Sequence, residues 1–317
     1  MRFLIFIIAS VILSYAVGFY LAIPANPEIQ FWKEVMERRD CEIAEVRKNQ
    51  PQIPIIFFTG GSSTAFSIDP EIIEHFCGLP AFNLGLPVAC GREYLLHQAL
   101  DYTRPGDVLV VCLEPDVLTS SLQESSPSKL SFALATTRGQ PGDSTGGSTF
   151  NTPLTLPHWL NLTRPGAGYS ATLAARIIAR KPYRYTPRDI QYRGHILTEI
   201  RDPNPNFSGS ASATSLAPDA RKMLQTFVRA AVKKGVRIAY SMPWRLTSED
   251  FLATNRALKK AVLADINKIL PVVDDGYTGA MSDPLLFSDT PQHLSAEGAA
   301  ARSQALAISL QEWLYKL

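Results

Sequence analysis

Four short apolar runs, each tied to a helix-like segment, constrain the architecture of this chain more than any other feature. Residues 53–59, Ile-Pro-Ile-Ile-Phe-Phe-Thr, form a continuous apolar run that stops at Gly60-Gly61. A run without polar alternation reads as a strand buried on both faces, and the glycines as a tight turn after it. Residues 81–84 and 108–113 read as further strands, the latter delivered by the turn Arg104-Pro-Gly-Asp107. Between them, Asp69-Pro70 supplies the N-cap and N1 pair that opens a helix to His75, and residues 91–102 carry an amphipathic helix. Strand, helix, strand, helix, strand at these connection lengths predicts a parallel sheet with crossover helices, the α/β class. The alternation lapses near Thr119. It resumes with a helix over 218–235, a strand over 236–242, a helix over 250–270, a short strand at 272–273 and a final helix over 294–317.

The N-terminal segment follows a different logic. After Arg2 no charge appears until Glu28, and residues 3–23 are almost continuously hydrophobic. That length matches the roughly 20 residues a helix needs to cross a bilayer, and exceeds the roughly 7–15 of a signal peptide's apolar region. The expectation is one uncleaved anchor, with the N-terminus cytoplasmic and the body outside. Arg2 marks the inner side, and Ala22-Ile23-Pro24-Ala25 leaves cleavage as the alternative. A polar segment with helical tendency, residues 31–48, links the anchor to the first strand. Lys+Arg 31 against Asp+Glu 29 gives a net charge of +2, which removes the electrostatic case for a nucleic-acid partner. With 46% hydrophobic and 19% charged residues, the remainder is composed like a large globular domain.

These readings predict four parts: residues 1–27 as anchor or signal, 28–52 as juxtamembrane helix and linker, 53–119 with 218–317 as the α/β domain, and 120–217 as an insertion. The insertion is rich in Ser, Thr, Gly and Pro, as in the stretch at 139–148, and has helical periodicity over 169–180. Arg176, Arg180, Lys181, Arg184, Arg188 and Arg193 interleave there with Tyr183, Tyr185 and Tyr192. Such a cluster is suited to an anionic glycan or lipid headgroup, although a solvated helix face is the commoner outcome. Of the cysteines 41, 77, 90 and 112, Cys112 lies in an apolar strand and reads as a buried hydrophobe, while Cys77 and Cys90 flank one strand and are candidates for pairing. No Cys-x-x-Cys and no histidine cluster points to a metal, and no cofactor is expected.

Three places carry chemistry, all just beyond the C-terminal ends of expected strands, where open parallel sheets put their sites. The first is Thr59-Gly-Gly-Ser-Ser-Thr64. Glycines after a strand leave following N–H groups free for a phosphate or an oxyanion, but there is neither the lysine of a Walker loop nor the third glycine of a dinucleotide loop. A serine on such a turn is placed instead as a nucleophile: Ser62, with Ser63 the neighbouring alternative. The second is Phe287-Ser-Asp-Thr-Pro-Gln-His293. Pro291 disfavours a helix, so Asp289 and His293 fall on the loop entering the last helix, where the carboxylate turns back onto the imidazole. The third is Asn83-Leu-Gly-Leu86, whose Gly85 lets backbone approach a reacting carbonyl oxygen.

Together these blocks resemble the SGNH, or GDSL-like, hydrolase superfamily, and within it the membrane-anchored bacterial branch related to teichoic-acid D-alanylation and alginate O-acetylation proteins. The resemblance covers residues 53–116 and 236–317. Ser67-Ile-Asp-Pro70 corresponds to that branch's Gly-Ile-Asp-Pro stretch at a distance that selects Ser62, and the terminal block corresponds through Asp289, His293 and Leu294-Ser-Ala-Glu-Gly298. It implies a three-layer α/β/α sandwich with a parallel flavodoxin-like sheet, beside the N-terminal transmembrane helix. It implies a periplasmic or extracytoplasmic serine esterase or O-acyltransferase, with Ser62 as nucleophile, His293 as base and Asp289 orienting it. Ser62 and Gly85 N–H groups would hold the oxyanion. The expected substrate is an acylated carbohydrate or other ester, with envelope-assembly proteins as partners. The chain departs from the family where an Asn amide is usual: Leu113-Glu-Pro-Asp116 offers Glu114, which when ionised cannot donate, and is expected to modulate the site. An accessory protein with a vestigial site, using the insertion as contact surface, is the alternative.

Overall fold

The computed structural model describes residues 2–17, 27–120, 183–202 and 213–316. The helix expected over 169–180, the Gly- and Ser-rich stretch at 139–148, and Arg176, Arg180 and Lys181 lie outside the described residues. The chain divides into two compact units. One comprises Met1–Val35, Ala89–Gly91 and Gln123–Pro187, and the other Met36–Val88, Arg92–Leu122 and Arg188–Leu317. The expected insertion is therefore divided, since from Arg188 onward it belongs to the same unit as the sheet.

In the first unit, helix α1 (Arg2–Val17) is 16 residues long, and Phe3 and Phe6 on it are exposed. Among the described residues no helix is long and apolar enough to cross a membrane. The apolar run of the sequence continues over residues 18–23, outside the described residues, so the expected spanning helix is described only as far as Val17. At the start of α2 (Pro27–Asn49), Phe31 meets the rings of Trp32, Tyr183 and Tyr185 at 5.3, 5.7 and 5.7 Å.

The second unit is a mixed α/β structure built on a parallel sheet. Strand β1 (Ile56–Gly60) lies between β2 (Ala81–Asn83) and β3 (Val108–Cys112), with β4 (Arg237–Tyr240) beyond β3. All three pairings are parallel, with Phe58 opposite Asn83, Gly60 opposite Cys112 and Val111 opposite Tyr240. The strand expected at 272–273 is reduced to one parallel bridge, Tyr240 to Val272. Every residue of β1 and β3 is buried, as their unbroken apolar runs require. Ile56, Phe58, Val108, Val110 and Cys112 share a core with Ile73 of α4 (Pro70–Cys77) and Leu306 and Leu310 of the last helix, Ala296–Tyr315. Side chains of this kind contribute roughly 1.5–3 kcal/mol each on full burial. Toward the other face, the Thr59 hydroxyl donates to the Leu95 carbonyl of α5 (Arg92–Tyr102) at 3.0 Å.

Local signals explain where these elements begin and end. Asp69 caps α4 by accepting from Glu71 N at 3.0 Å, Pro70 follows at N1, and Gly78 ends the helix at φ 68°, a left-handed position that disfavours side chains. The Asp107 carboxylate accepts from Ile55 N at 2.9 Å and Arg104 N at 2.6 Å, and pairs with the buried Arg47, so one side chain fixes the entrances to β1 and β3.

Two expectations are corrected, and one feature appears that the sequence did not announce. All four cysteines are free, so Cys77 and Cys90 do not pair. Arg193 leaves the basic cluster: it pairs with Glu74, and its guanidinium lies over Phe82 and Tyr192 at 4.8 and 4.7 Å. Finally, Arg245–Leu246 (β5) and Ala280–Met281 (β6) form a second, two-stranded parallel sheet, too short for any periodicity to announce it.

Candidate active site

The C-terminal end of β1 runs straight into a four-residue helix, α3 (Ser62–Ala65), which sequence periodicity did not predict. Close packing explains the two glycines before it. A Cβ on Gly60 would stand 2.2 Å from Thr64 Oγ1 and 2.4 Å from the Cys112 carbonyl oxygen, and one on Gly61 would stand 2.0 Å from a Glu114 carboxylate oxygen. Ser62 opens the helix, half-buried, while Ser63, Thr64 and Ala65 are buried. In a first helical turn the N–H groups lack intrahelical partners. Ser62 is the first residue of that turn.

The second element is the loop entering the last helix. Its hydrogen bonds are short in sequence: Ser288 N donates to the His293 carbonyl at 2.9 Å, and Thr290 Oγ1 accepts from His293 N at 3.0 Å and Gln292 N at 3.2 Å. Ser295 then caps the helix by accepting from Gly298 N at 3.2 Å. A Cβ on Gly298 would stand 2.0 Å from the Leu286 carbonyl oxygen, so the helix approaches the loop too closely for any side chain there. The Leu246 N–H of β5 holds the Pro291 carbonyl at 2.8 Å from outside the loop.

The two elements meet at the histidine. His293 Nδ1 lies 2.9 Å from Asp289 Oδ1, and His293 Nε2 lies 3.0 Å from Ser62 Oγ, across 231 residues of chain. The Asp289 carboxylate also accepts from Ser288 Oγ at 3.3 Å and is 3% exposed. A carboxylate held on Nδ1 selects the tautomer that presents a bare Nε2 to the serine hydroxyl and stabilises the imidazolium formed when that nitrogen takes a proton. The imidazole also stacks on Phe66, with ring centroids 4.1 Å apart and planes at 8°. Nothing in the sequence singled out Phe66.

The remaining expected residues, Gly85 and Glu114, sit nearby, and Gly85 does not have the role expected of it. The Gly85 N–H donates to Asn83 Oδ1 at 2.9 Å instead of standing free for an oxyanion. The glycine is required for another reason, since a Cβ there would meet Ala65 N at 2.3 Å. Asn83, noted in the sequence only as a strand end, is fully buried, and its amide donates to the carbonyls of Thr64 at 2.8 Å and Ile68 at 2.9 Å. A polar residue closing an apolar strand was the available signal. Glu114, also buried, accepts from Ser63 Oγ at 2.6 Å. Burial raises its pKa, opposed by the Ser63 hydroxyl and the backbone amides of Glu114, Ser63 and Gly61.

The strap from Ile190 to Ile196, closed by an antiparallel bridge between those residues, completes the surroundings. The Ile196 N–H donates to the Ala65 carbonyl at 2.9 Å. His195 is buried with its Nδ1 4.0 Å from Asp69 Oδ2, and burial lowers its pKa to about 4. Among the described residues no group of three or more His, Cys, Asp or Glu side chains is arranged to hold a metal ion. No family model matches the chain, and no curated protein does.

Proposed function

We propose that the protein is a serine esterase or O-acyltransferase that uses Ser62, His293 and Asp289. The single observation that carries this reading is the continuous chain Ser62 Oγ–His293 Nε2–His293 Nδ1–Asp289 Oδ1, with links of 3.0 and 2.9 Å. The order β2-β1-β3-β4 supports it, because the β1/β3 boundary is where such sheets reverse their winding and open a crevice, and Ser62 follows β1 directly. We read the second unit accordingly as a three-layer α/β/α sandwich of flavodoxin-like winding.

In this mechanism Ser62 Oγ attacks the ester carbonyl carbon while its proton passes to His293 Nε2. The Ser62 N–H stabilises the resulting oxyanion. The tetrahedral intermediate collapses, and the alcohol leaves with the proton from Nε2. Water or a sugar hydroxyl then attacks the acyl-serine, giving its proton to the same nitrogen, and Ser62 recovers a proton as the acyl group departs. With water the enzyme is an esterase, and with a sugar hydroxyl an O-acyltransferase. The substrate class implied by the resemblance is an ester-bearing glycan of the cell envelope or an exported glycan. The apolar residues 3–23 support an inner-membrane anchor with the site on the extracytoplasmic side.

A non-catalytic accessory of envelope-polymer assembly is favoured by one observation. Gly85 N–H is taken up by Asn83, and Glu114 replaces an amide donor, leaving Ser62 N–H as the one donor identified for the oxyanion. Labelling of the full chain with a fluorophosphonate, followed by peptide mapping, separates the two. The enzyme reading expects modification at Ser62 that disappears in Ser62→Ala. A folded protein that stays unlabelled overturns it in favour of the accessory.

A further inference from the structure

We propose that Glu114 is a positioning residue for this site, holding the Ser62 turn through the Ser63 hydroxyl and the backbone around Gly61. The proposal rests on the acyl-transfer reading and gives that reading a support it did not contain. Glu114 stands two residues beyond β3, whose last residue, Cys112, is in register with Gly60 of β1. The two strand ends are joined again by Thr64 Oγ1, which donates to the Cys112 carbonyl at 3.1 Å. Glu114 thus extends from the element that fixes the end of β1. Its own backbone is anchored as well, its carbonyl accepting from Val117 N at 3.0 Å and the neighbouring Leu113 carbonyl from Tyr240 Oη at 2.8 Å.

The carboxylate from this base lies against Gly61 and Ser63, the residues on either side of the nucleophile. On one side the absence of a Cβ at Gly61 makes room for it, since that atom would fall 2.0 Å from an oxygen. On the other the Ser63 hydroxyl donates to it at 2.6 Å. Both Ser63 and Glu114 are buried, so water does not compete for this bond. A buried carboxylate without such donors carries a large desolvation cost, so the turn and the carboxylate fix each other's geometry. The opposite end of α3 is held by the Asn83 amide on the Thr64 carbonyl. A nucleophile between two such restraints stays aligned with His293 Nε2 before any ester arrives, and misplacement by about 1 Å is enough to cost roughly 10²-fold.

The test compares Ser63→Ala, Glu114→Gln and the double variant with the wild-type full chain, using p-nitrophenyl acetate as the ester probe. A positioning role lowers kcat in both single variants, by about 10-fold for Ser63→Ala and up to about 10²-fold for Glu114→Gln, with KM within about twofold. The double variant is then no slower than Glu114→Gln, because one linkage has been removed twice. An unchanged kcat in Ser63→Ala, a rise in KM alone, or losses that multiply would each overturn the proposal. Ser63→Ala is the mild member of the set and keeps the test readable if Glu114→Gln fails to fold. Amide hydrogen exchange over residues 61–66 separates this proposal from the acyl-transfer reading. If the wild type turns over no ester and takes no fluorophosphonate, that reading fails by itself. Faster exchange in Ser63→Ala then still upholds the brace, and unchanged exchange overturns it.

Discussion

The nucleophile turn and the acid–base loop face each other across one hydrogen bond, yet they are restrained in opposite ways. Between Phe287 and Leu294 most of the hydrogen bonds are local: Ser288, Asp289 and Thr290 bond to His293 over three to five residues of sequence, while Leu246 on the Pro291 carbonyl and Phe66 on the imidazole face are the restraints from farther away. Around Ser62 they are distant. Ser63 is held by Glu114 from 51 residues away, Thr64 by Cys112 from 48, and the Thr64 carbonyl by Asn83 from 19. A local loop keeps its shape as long as its own few residues do. A turn held from neighbouring strands inherits any disturbance of the sheet. Changes at the strand ends should therefore displace the serine before they displace the histidine.

The largest expected effect lies on the link itself. Asp289→Asn should lower turnover by about 10⁴-fold with the fold intact, because the imidazole loses its orienting acceptor. His293→Ala should be at least as damaging, and the double variant scarcely worse than the worse single, since such groups act as a unit. Losses that simply add in free energy would mean that the two halves work independently. Steady-state kinetics on a chromogenic ester measures this.

Gly61→Ala strikes the distant restraints alone. The added Cβ meets the Glu114 carboxylate, and overpacking of this kind costs about 1–3 kcal/mol. Thermal unfolding should show the loss, and Glu114→Ala in the same chain should restore part of it. Failure of the second change to compensate would remove the contact from the account.

Acid pH loads the nucleophile side through His195. Its folded pKa of about 4 lies below the ordinary 6.5, so the unfolded chain binds a proton that the folded one refuses. Stability is then fully present above pH 6.5 and declines as pH falls toward 4, with a slope of at most about 1.4 kcal/mol per pH unit. Urea unfolding as a function of pH should show this slope in the wild type and lose it in His195→Gln. Equal slopes in the two would sever His195 from the strap's hold on Ala65.

The smallest effect tests the local loop. Thr290→Val removes the acceptor for the His293 and Gln292 amides, worth about 1 kcal/mol, and should reduce kcat about 10-fold or less. Fluorophosphonate labelling in that variant should still fall on Ser62, because the serine turn owes nothing to Thr290.

What the amino-acid order determined by itself is whatever depends on neighbours in sequence. Unbroken apolar runs require strands covered on both faces, and 53–59, 81–84, 108–113 and 236–242 became the four parallel strands. Asp69-Pro70 required a helix start whatever its surroundings, and Asp289 and His293 lie close enough in sequence for one loop to join them. Tertiary structure decided the rest. Whether Gly85 presents its N–H to a ligand depended on where the Asn83 side chain turned, and the face of the turn that Glu114 meets depended on the pairing of β3 with β1. The ring that would stack on His293 was equally undetermined, because Phe66 is one apolar residue among many until α3 forms. The strap from Ile190 to Ile196 read as insertion because its sequence has no periodicity, and packing against Ala65 drew it into the sheet's unit. The physical reason is that each depends on contacts between residues far apart in sequence, the Asn83 side chain itself being aimed by its bonds to the Thr64 and Ile68 carbonyls, and no local pattern encodes how the folded elements bring such residues together.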